Sequence, residues 1–463
     1  MIKNKSLLFI IACLTLCLIP FVGMFFFPTT ETTENRPIAA APKLLTEDGS
    51  FNANYFSDFE TYFNEHMALR NRLVSTDAKI QKEFFAESNV SGVIVGTKGW
   101  LYYASTLDDY LGKSVMSERE LYNLAHNFLM IQEYVEGKNV PFALMIPPNK
   151  NTLYGENMPY HASYLINQDH NAKLLAPLLS EKGVNYLNLF EMFETQEEVL
   201  YLKRDSHWNT KGACLAYNGI MDMLALKHED YSSTEPVLEK NDNGDLNKML
   251  YSFYGELEED YVYDMADDYT YANNAKSVED GWIITENKNG SGTLLMFRDS
   301  FANTLIPFLS NEFQVAYYSK GEPNALERYM EEYDPSCVVI EIVERNIANY
   351  LNNPPILTAV ETELPKKRTL SSTDATAVIE NSENNINYYK ISGTISEERL
   401  EVDSDIIVSV DGVVYKAYQT GENGYMLYLK KSAFNDTSTN VQVYVLNEDG
   451  GTRIFAENIN LPK

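Results

Sequence analysis

The apolar residues of this chain fall into three successive regimes: one unbroken run, then helix and strand periods in alternation, then short strand-like runs. Residues 6–27 carry no charge and are mostly apolar. At about 1.5 Å per residue, a helix of that length crosses a hydrocarbon core roughly 30 Å thick. Lys3 and Lys5 precede the run and the next basic residue is Arg36, so the positive-inside bias puts residues 28 onward outside the cytoplasm. The run outlasts a usual signal-peptide core and no convincing small-x-small cleavage site follows, which favours an uncleaved anchor over a cleaved signal peptide. Ile10-Ile11-Ala12-Cys13 is a loose match to a lipoprotein box, but the apolar run continues far past Cys13. Residues 28–42, rich in Thr, Glu, Pro and Ala, read as a stalk. Across 51–87, Phe56, Phe59, Tyr62, Phe63, Met67, Leu69 and Leu73 recur mainly at three- and four-residue steps and predict an amphipathic helical segment, with Arg70 and Arg72 as surface ion-pairing groups. Residues 91–103 predict a hairpin that turns at 96–99.

Regular alternation starts near residue 117. Residues 118–136 have a helical pattern, 140–146 read as a buried strand, and Pro147-Pro148-Asn149-Lys150 breaks it. A second strand is expected over 184–190, and 200–207 leads into a helix over 210–226 with Asn209 as N-cap. The acidic, Tyr-rich stretch 229–281 reads as a solvated insertion; its Asp242, Asp245 and Asp267-Asp268 lack the ligand order of a known calcium loop. From 292 a βαβαβ series follows: strands at 293–297, 314–318 and 337–343, with helices between them. Such a series implies a mostly parallel sheet with right-handed crossovers. Beyond about 364 the pattern becomes short strands at 406–410, 413–418, 425–429 and 441–445, with Asp411-Gly412 as a hairpin turn. These predict a small all-β domain, a sandwich that either binds glycan or only packs on its neighbour.

The formal net charge of −29 excludes a phosphate-neutralising partner such as nucleic acid and suits a soluble body. Cys13 and Cys17 lie in the first apolar run; Cys214 and Cys337 read as buried free thiols, with one disulfide between them as the alternative. His66, His126, His161, His170 and His228 show no ligand spacing, so neither metal nor cofactor is expected.

One histidine stands apart. In Lys203-Arg204-Asp205-Ser206-His207-Trp208-Asn209 a carboxylate lies two residues before it, and an extended backbone would project both to one side. The matching nucleophile is Ser300, at the end of the strand-like run in Leu294-Leu295-Met296-Phe297-Arg298-Asp299-Ser300-Phe301. A Ser300, His207, Asp205 triad for acyl transfer follows, against the reading that the three only satisfy buried polar contacts. Helix amides beside His207 would oppose imidazolium formation, so Asp205 is needed to keep it basic. No Gly-x-Ser-x-Gly elbow is present, leaving the Ser300 and Phe301 amides as oxyanion candidates. Trp208, Lys150 and Arg345 are the remaining candidates for substrate contact. Lys150 either faces the site from a strand's carboxyl end or is a plain surface lysine. Glu344 and Arg345 are read as a buried ion pair shaping the pocket, or as a surface pair at a helix start.

The Asp-x-His-Trp and Asp-Ser-Phe motifs resemble the alginate O-acetyltransferases of the AlgJ and AlgX type and the related membrane-anchored DHHW proteins, which have SGNH-hydrolase-like domains. Further likeness lies at Glu34-Asn35-Arg36-Pro37, Gly96-Thr97-Lys98-Gly99-Trp100-Leu101-Tyr102, Pro147-Pro148-Asn149-Lys150, Gly244-Asp245-Leu246 and Val343-Glu344-Arg345. The resemblance covers residues 30–350. It implies a flavodoxin-like α/β domain and acetyl transfer to a polysaccharide, with a multi-spanning membrane acyltransferase as donor. SGNH enzymes often have Gly-Asp-Ser where this chain has Arg298-Asp299-Ser300. The resulting expectation is a cytoplasmic tip and anchor over 1–28, a stalk over 29–50, an SGNH-like catalytic domain over 51–363 and a β-sandwich-like accessory domain over 364–463, with the bulk of the chain extracellular. Esterase activity with the same triad, or a non-catalytic glycan-binding surface protein, are the alternatives.

Overall fold

The computed structural model describes residues 2–29, 38–46, 49–166, 169–251, 255–266, 268–321, 325–364, 367–369, 374–447 and 450–462. The Glu34-Asn35-Arg36-Pro37 motif, Asp267 and much of the expected stalk lie outside them. Helix α1, Ile2–Gly23, contains residues 6–23 of the uncharged run and ends before its last four, and its Ser6–Gly23 window has a mean hydropathy of 2.5 with 6% of it buried. The helical segment expected over 51–87 is broken. Helix α2 is Tyr55–His66 and α3 is Arg70–Ile80, continued by a wide turn at Gln81–Phe85. Leu69 between them is left-handed (φ 63°), which ends the i→i−4 ladder that periodicity alone would continue.

Helix α4, Glu118–Glu136, starts in a capping box of Ser117 and Glu120 and packs on one face of a seven-stranded sheet. The strands are β1 (Phe142–Met145), β2 (Tyr186–Leu187), β3 (Thr270–Tyr271), β4 (Trp282–Glu286), β5 (Thr293–Phe297), β6 (Val315–Ser319) and β7 (Cys337–Glu341). Their order is β2-β1-β7-β5-β6-β4-β3; the first five run parallel, β4 pairs antiparallel with β6, and β3 pairs antiparallel with β4. Helices α5 (Thr210–Met223) and α6 (Leu305–Glu312) cover the other face. Because β5 is central and covered on both faces, it reads as a continuous apolar run. The strand expected over 184–190 is cut to two residues. The Asn188 side chain accepts the Glu191 N–H there and starts a helix at Leu189–Glu194.

Cys214 and Cys337 are free and buried in the core on the α5 side. The C-terminal strands form a five-stranded and a four-stranded sheet around Ile391, Val408, Leu427 and Val443. Asp411 and Gly412 are both left-handed (φ 48° and 89°), as a two-residue hairpin turn requires. The run expected as one strand over 413–418 is two. Val413–Lys416 belongs to the five-stranded sheet and Tyr418–Thr420 to the four-stranded one, with buried Ala417 at the crossing.

This β unit is joined to α4 by buried polar contacts. The Arg119 guanidinium donates to the carbonyls of Val402 and Ser404 and to the Gln419 side chain, while Asn127 and Gln419 exchange bonds at 2.9 Å in both directions. Arg119→Ala strands those acceptors, so an unfolding free energy lower by about 2–4 kcal/mol is expected, read as a lower denaturant midpoint at unchanged slope. Burial opposes the charge of Asp405, but His126, Lys182 and the Tyr122 hydroxyl hold its pKa below the usual carboxylate range. A depressed folded-state pKa contributes stability above the unfolded value of about 3.9, and that stability is lost as pH falls below it. Thermal melts should therefore drop in midpoint from pH 6 to pH 3, and drop less in Asp405→Asn.

Candidate active site

Asp205 and His207 do not align through an extended strand. Residues 203–207 form a bend closed by a bridge between Tyr201 and Trp208. Within it, Asp205 Oδ1 accepts the backbone N–H of His207 at 2.9 Å and its ring Nδ1–H at 2.6 Å. Donating through Nδ1 leaves Nε2 as the acceptor. His207 Nε2 lies 2.7 Å from the hydroxyl of Ser300, at the carboxyl end of β5. The three side chains thus meet across a sequence gap of 93 residues between His207 and Ser300.

The serine is held by its flanks. Asp299 accepts the Phe301 N–H at 2.9 Å and the Val343 N–H at 2.8 Å, and its own N–H donates to Glu341 at 2.8 Å. Arg298 ties the turn to the carbonyls of Val278 and Asp280. The Phe301 amide, expected to face an oxyanion, is therefore occupied. The Ser300 amide has no acceptor among the described residues.

The other candidates sit around this core, in places the sequence did not indicate. Trp208 is 1% exposed and packs edge-on against Phe301, so it supports the site from beneath and meets no substrate. The Phe301 ring itself meets the His207 imidazole edge-on at 4.8 Å. Lys150 is neither a surface lysine nor a substrate contact. It is 4% exposed, and its ammonium donates to the carbonyls of Leu202, Lys203 and Asp205 at 3.1, 3.1 and 2.5 Å, clamping the bend from below. Burial brings its pKa down to about 8. No ion pair joins Glu344 to Arg345 among the described residues. Glu344 accepts from the Asn149 N–H and the Thr152 hydroxyl, while Arg345 stacks over Tyr103 and Phe301 at 5.5 and 5.8 Å. Of Phe301, Trp208, Lys150 and Arg345, Arg345 alone is partly exposed.

Residues 93–296 match the family model described as ALGX, SGNH hydrolase-like domain, acetyltransferase AlgX. Those residues carry an SGNH hydrolase-like domain. The match includes Asp205 and His207 and stops four residues before Ser300. No curated protein matches. Among solved structures, PatB1 of Bacillus cereus is 19% identical, with 55% of this chain and 96% of that chain covered at a TM-score of 0.43. A DHHW family protein of Eubacterium siraeum is 15% identical over 55% and 94% at 0.39. The O-acetyltransferase domain of Pseudomonas putida AlgJ is 16% identical over 55% and 92% at 0.38.

Part of the stretch read as a solvated insertion builds the SGNH-like site. Asp245 donates its N–H to Asp205 Oδ2 at 2.7 Å and accepts from the Ser206 N–H at 2.7 Å and hydroxyl at 2.5 Å, with Oδ2 3.7 Å from His207 Nδ1. Glu258 accepts the Lys203 and Arg204 N–H groups, and Asp260 caps α5 at Thr210. Asp205, His207 and Asp245 are close enough to share a cation, but N–H and O–H donors already fill the inward carboxylate oxygens. Gly244-Asp245-Leu246 carried the family likeness that pointed here. Its spacing alone assigned no role, because the contact spans 40 residues.

Gly244 packs backbone to backbone on the bend: a Cβ there would overlap the Arg204 carbonyl and lie 2.8 Å from Asp205 N. Gly244→Ala should therefore push Asp205 out of place and cost about 10²-fold in acyl-transfer rate with the fold retained, checked by steady-state assay beside circular dichroism.

Proposed function

We propose that this chain is a membrane-anchored serine O-acetyltransferase, working outside the cytoplasm on hydroxyls of a cell-envelope or extracellular polysaccharide. The observation that carries this reading is the 2.7 Å contact of Ser300 Oγ with His207 Nε2, on a ring whose other nitrogen donates to Asp205. It sits in a domain similar to that of an acetyltransferase. The apolar helix α1 is compatible with the anchor.

In the first half-reaction His207 Nε2 takes the Ser300 proton as Oγ attacks the acetyl carbonyl. The Ser300 N–H stabilises the tetrahedral oxyanion, and the donor's leaving group departs with the proton from His207. A sugar hydroxyl then gives its proton to His207 and attacks the acyl-enzyme. Ser300 Oγ leaves and is reprotonated. The acetyl donor would be supplied by a multi-spanning membrane acyltransferase, which accounts for a tethered acceptor domain. Water in place of the sugar would make the same residues an esterase; the likeness to an acetyltransferase domain favours transfer.

The test uses the full chain in detergent with p-nitrophenyl acetate, with and without acetyl-free oligosaccharide. Acetyl-sugar should form with wild type and be lost with Ser300→Ala. Product formation unchanged in the variant overturns the assignment, and p-nitrophenol release without acetyl-sugar makes the protein an esterase.

The pH profile follows from the ring's surroundings. Burial opposes the His207 charge, but Asp205, through charge and hydrogen bond, and Asp245 raise its pKa above the ordinary 6.5. Only the neutral ring can take the serine proton, so the rate rises with pH and the acid limb of kcat/KM should lie above 6.5. Asp205→Asn should move that limb to lower pH and cut kcat by about 10³–10⁴-fold.

A further inference from the structure

The region between the apolar helix and the SGNH-like domain is built as a second apolar surface. On α2, Phe56 and Phe59 are 74% and 45% exposed, and with Phe63 they lie at i, i+3 and i+7 on one face. Phe59 stacks on Phe63, which meets Phe21 near the outer end of α1 at 5.8 Å. From α3 into the following turn, Leu69, Leu73, Ile80 and Phe84 form another stripe at steps of four and seven, each exposed and Phe84 by 79%. That stripe also starts at the end of α1. Leu69 and Ala68 line an apolar groove of about 580 Å³ with Leu18, Val22, Gly23 and Phe27. The junction is fixed by hydrogen bonds, since Thr29 donates its N–H to the His66 carbonyl and its hydroxyl to the Met67 carbonyl. The chain leaving α1 therefore folds straight back onto α2 and α3.

We infer that α2, α3 and the turn at Gln81–Phe85 rest on the outer leaflet, their aromatic and aliphatic stripes inserted at the headgroup boundary and lipid acyl chains filling the groove. The inference rests on the reading of α1 as a membrane anchor. If α1 spans the bilayer, Phe21, Gly23 and Phe27 mark the outer edge of the hydrocarbon, and the apolar stripes converge there. Charge selects the same occupant. In a chain of net charge −29, residues 70–85 carry Arg70, Arg72, Lys79 and Lys82 against Asp77 and Glu83, an excess of cations confined to α3 and the turn and suited to anionic headgroups there, while α2 carries Asp58, Glu60 and Glu65. A water-exposed linker needs neither seven exposed large apolar side chains in 56–85 nor that charge reversal.

The experiment uses the full chain with Cys13 and Cys17 changed to Ser and the buried free thiols Cys214 and Cys337 changed to Ala, reconstituted in phosphatidylcholine and phosphatidylglycerol vesicles. A single nitroxide is placed at Phe56→Cys, Phe84→Cys, Leu14→Cys or Ile386→Cys, and its collisions with oxygen and with a water-soluble nickel chelate are compared. Oxygen should dominate at 56 and 84, as at 14 within the span, and the nickel chelate at 386. Nickel dominance at 56 and 84 with oxygen dominance at 14 overturns the inference while the anchor stands. Labels at 56 and 84 that meet neither reagent and are immobilised mean that a protein covers the stripes, which also overturns it. Nickel dominance at 14 removes the anchor and the inference together.

Discussion

Three donors from two separate stretches of chain converge on the carboxylate of Asp205. They are the His207 N–H, the His207 ring and the Asp245 N–H. A buried charge has to be paired and hydrogen-bonded, so the bend cannot loosen without stranding it. The same bonds fix the imidazole tautomer and lock the Gly244 turn to the bend. One group thereby sets both the chemistry of the ring and the path of the chain around it.

Around that carboxylate the protein repeats one device, side chains that hold backbone. Lys150 holds three carbonyls of the bend from below, while Glu258 and Asp260 hold N–H groups on its flanks. On the serine side, Asp299 and Glu341 bridge the ends of β5 and β7. Both halves hang on the carboxyl ends of the parallel strands of a mixed sheet covered on both faces. Rigid strands place the serine, and a clamped loop brings the imidazole to it. This division explains why Ser300 and His207 can be far apart in sequence and still meet at hydrogen-bond distance.

The same economy of contact governs the flanking units. The β-sandwich is joined to α4 through Arg119, Asn127 and Gln419, which are buried and satisfied by one another and by backbone carbonyls. At the other end, Thr29 bonds to the α2–α3 junction. The first connection limits how far the sheet domain can tilt relative to the β unit, and the second fixes the end of α1 to the α2–α3 junction.

What the sequence by itself determined is whatever depends on neighbours along the chain. The uncharged span, the capped helix at Glu118–Glu136, the Asn209 cap, the strand carrying Ser300 and the Asp411-Gly412 turn are set by local period and local hydrogen bonds. The Asp-x-His pairing was also legible, although through a bend in place of a strand. Only the tertiary structure decided the roles of residues whose partners are distant. Lys150 becomes a clamp because the bend folds over it, the Phe301 amide is taken by Asp299, and Asp245 reaches Asp205 from an insertion that composition marked as solvated. Leu69 breaks a helix that periodicity extends, and Ala417 breaks a strand that crosses between sheets. Each of these depends on packing or hydrogen bonds between segments tens of residues apart, about which local pattern carries no information.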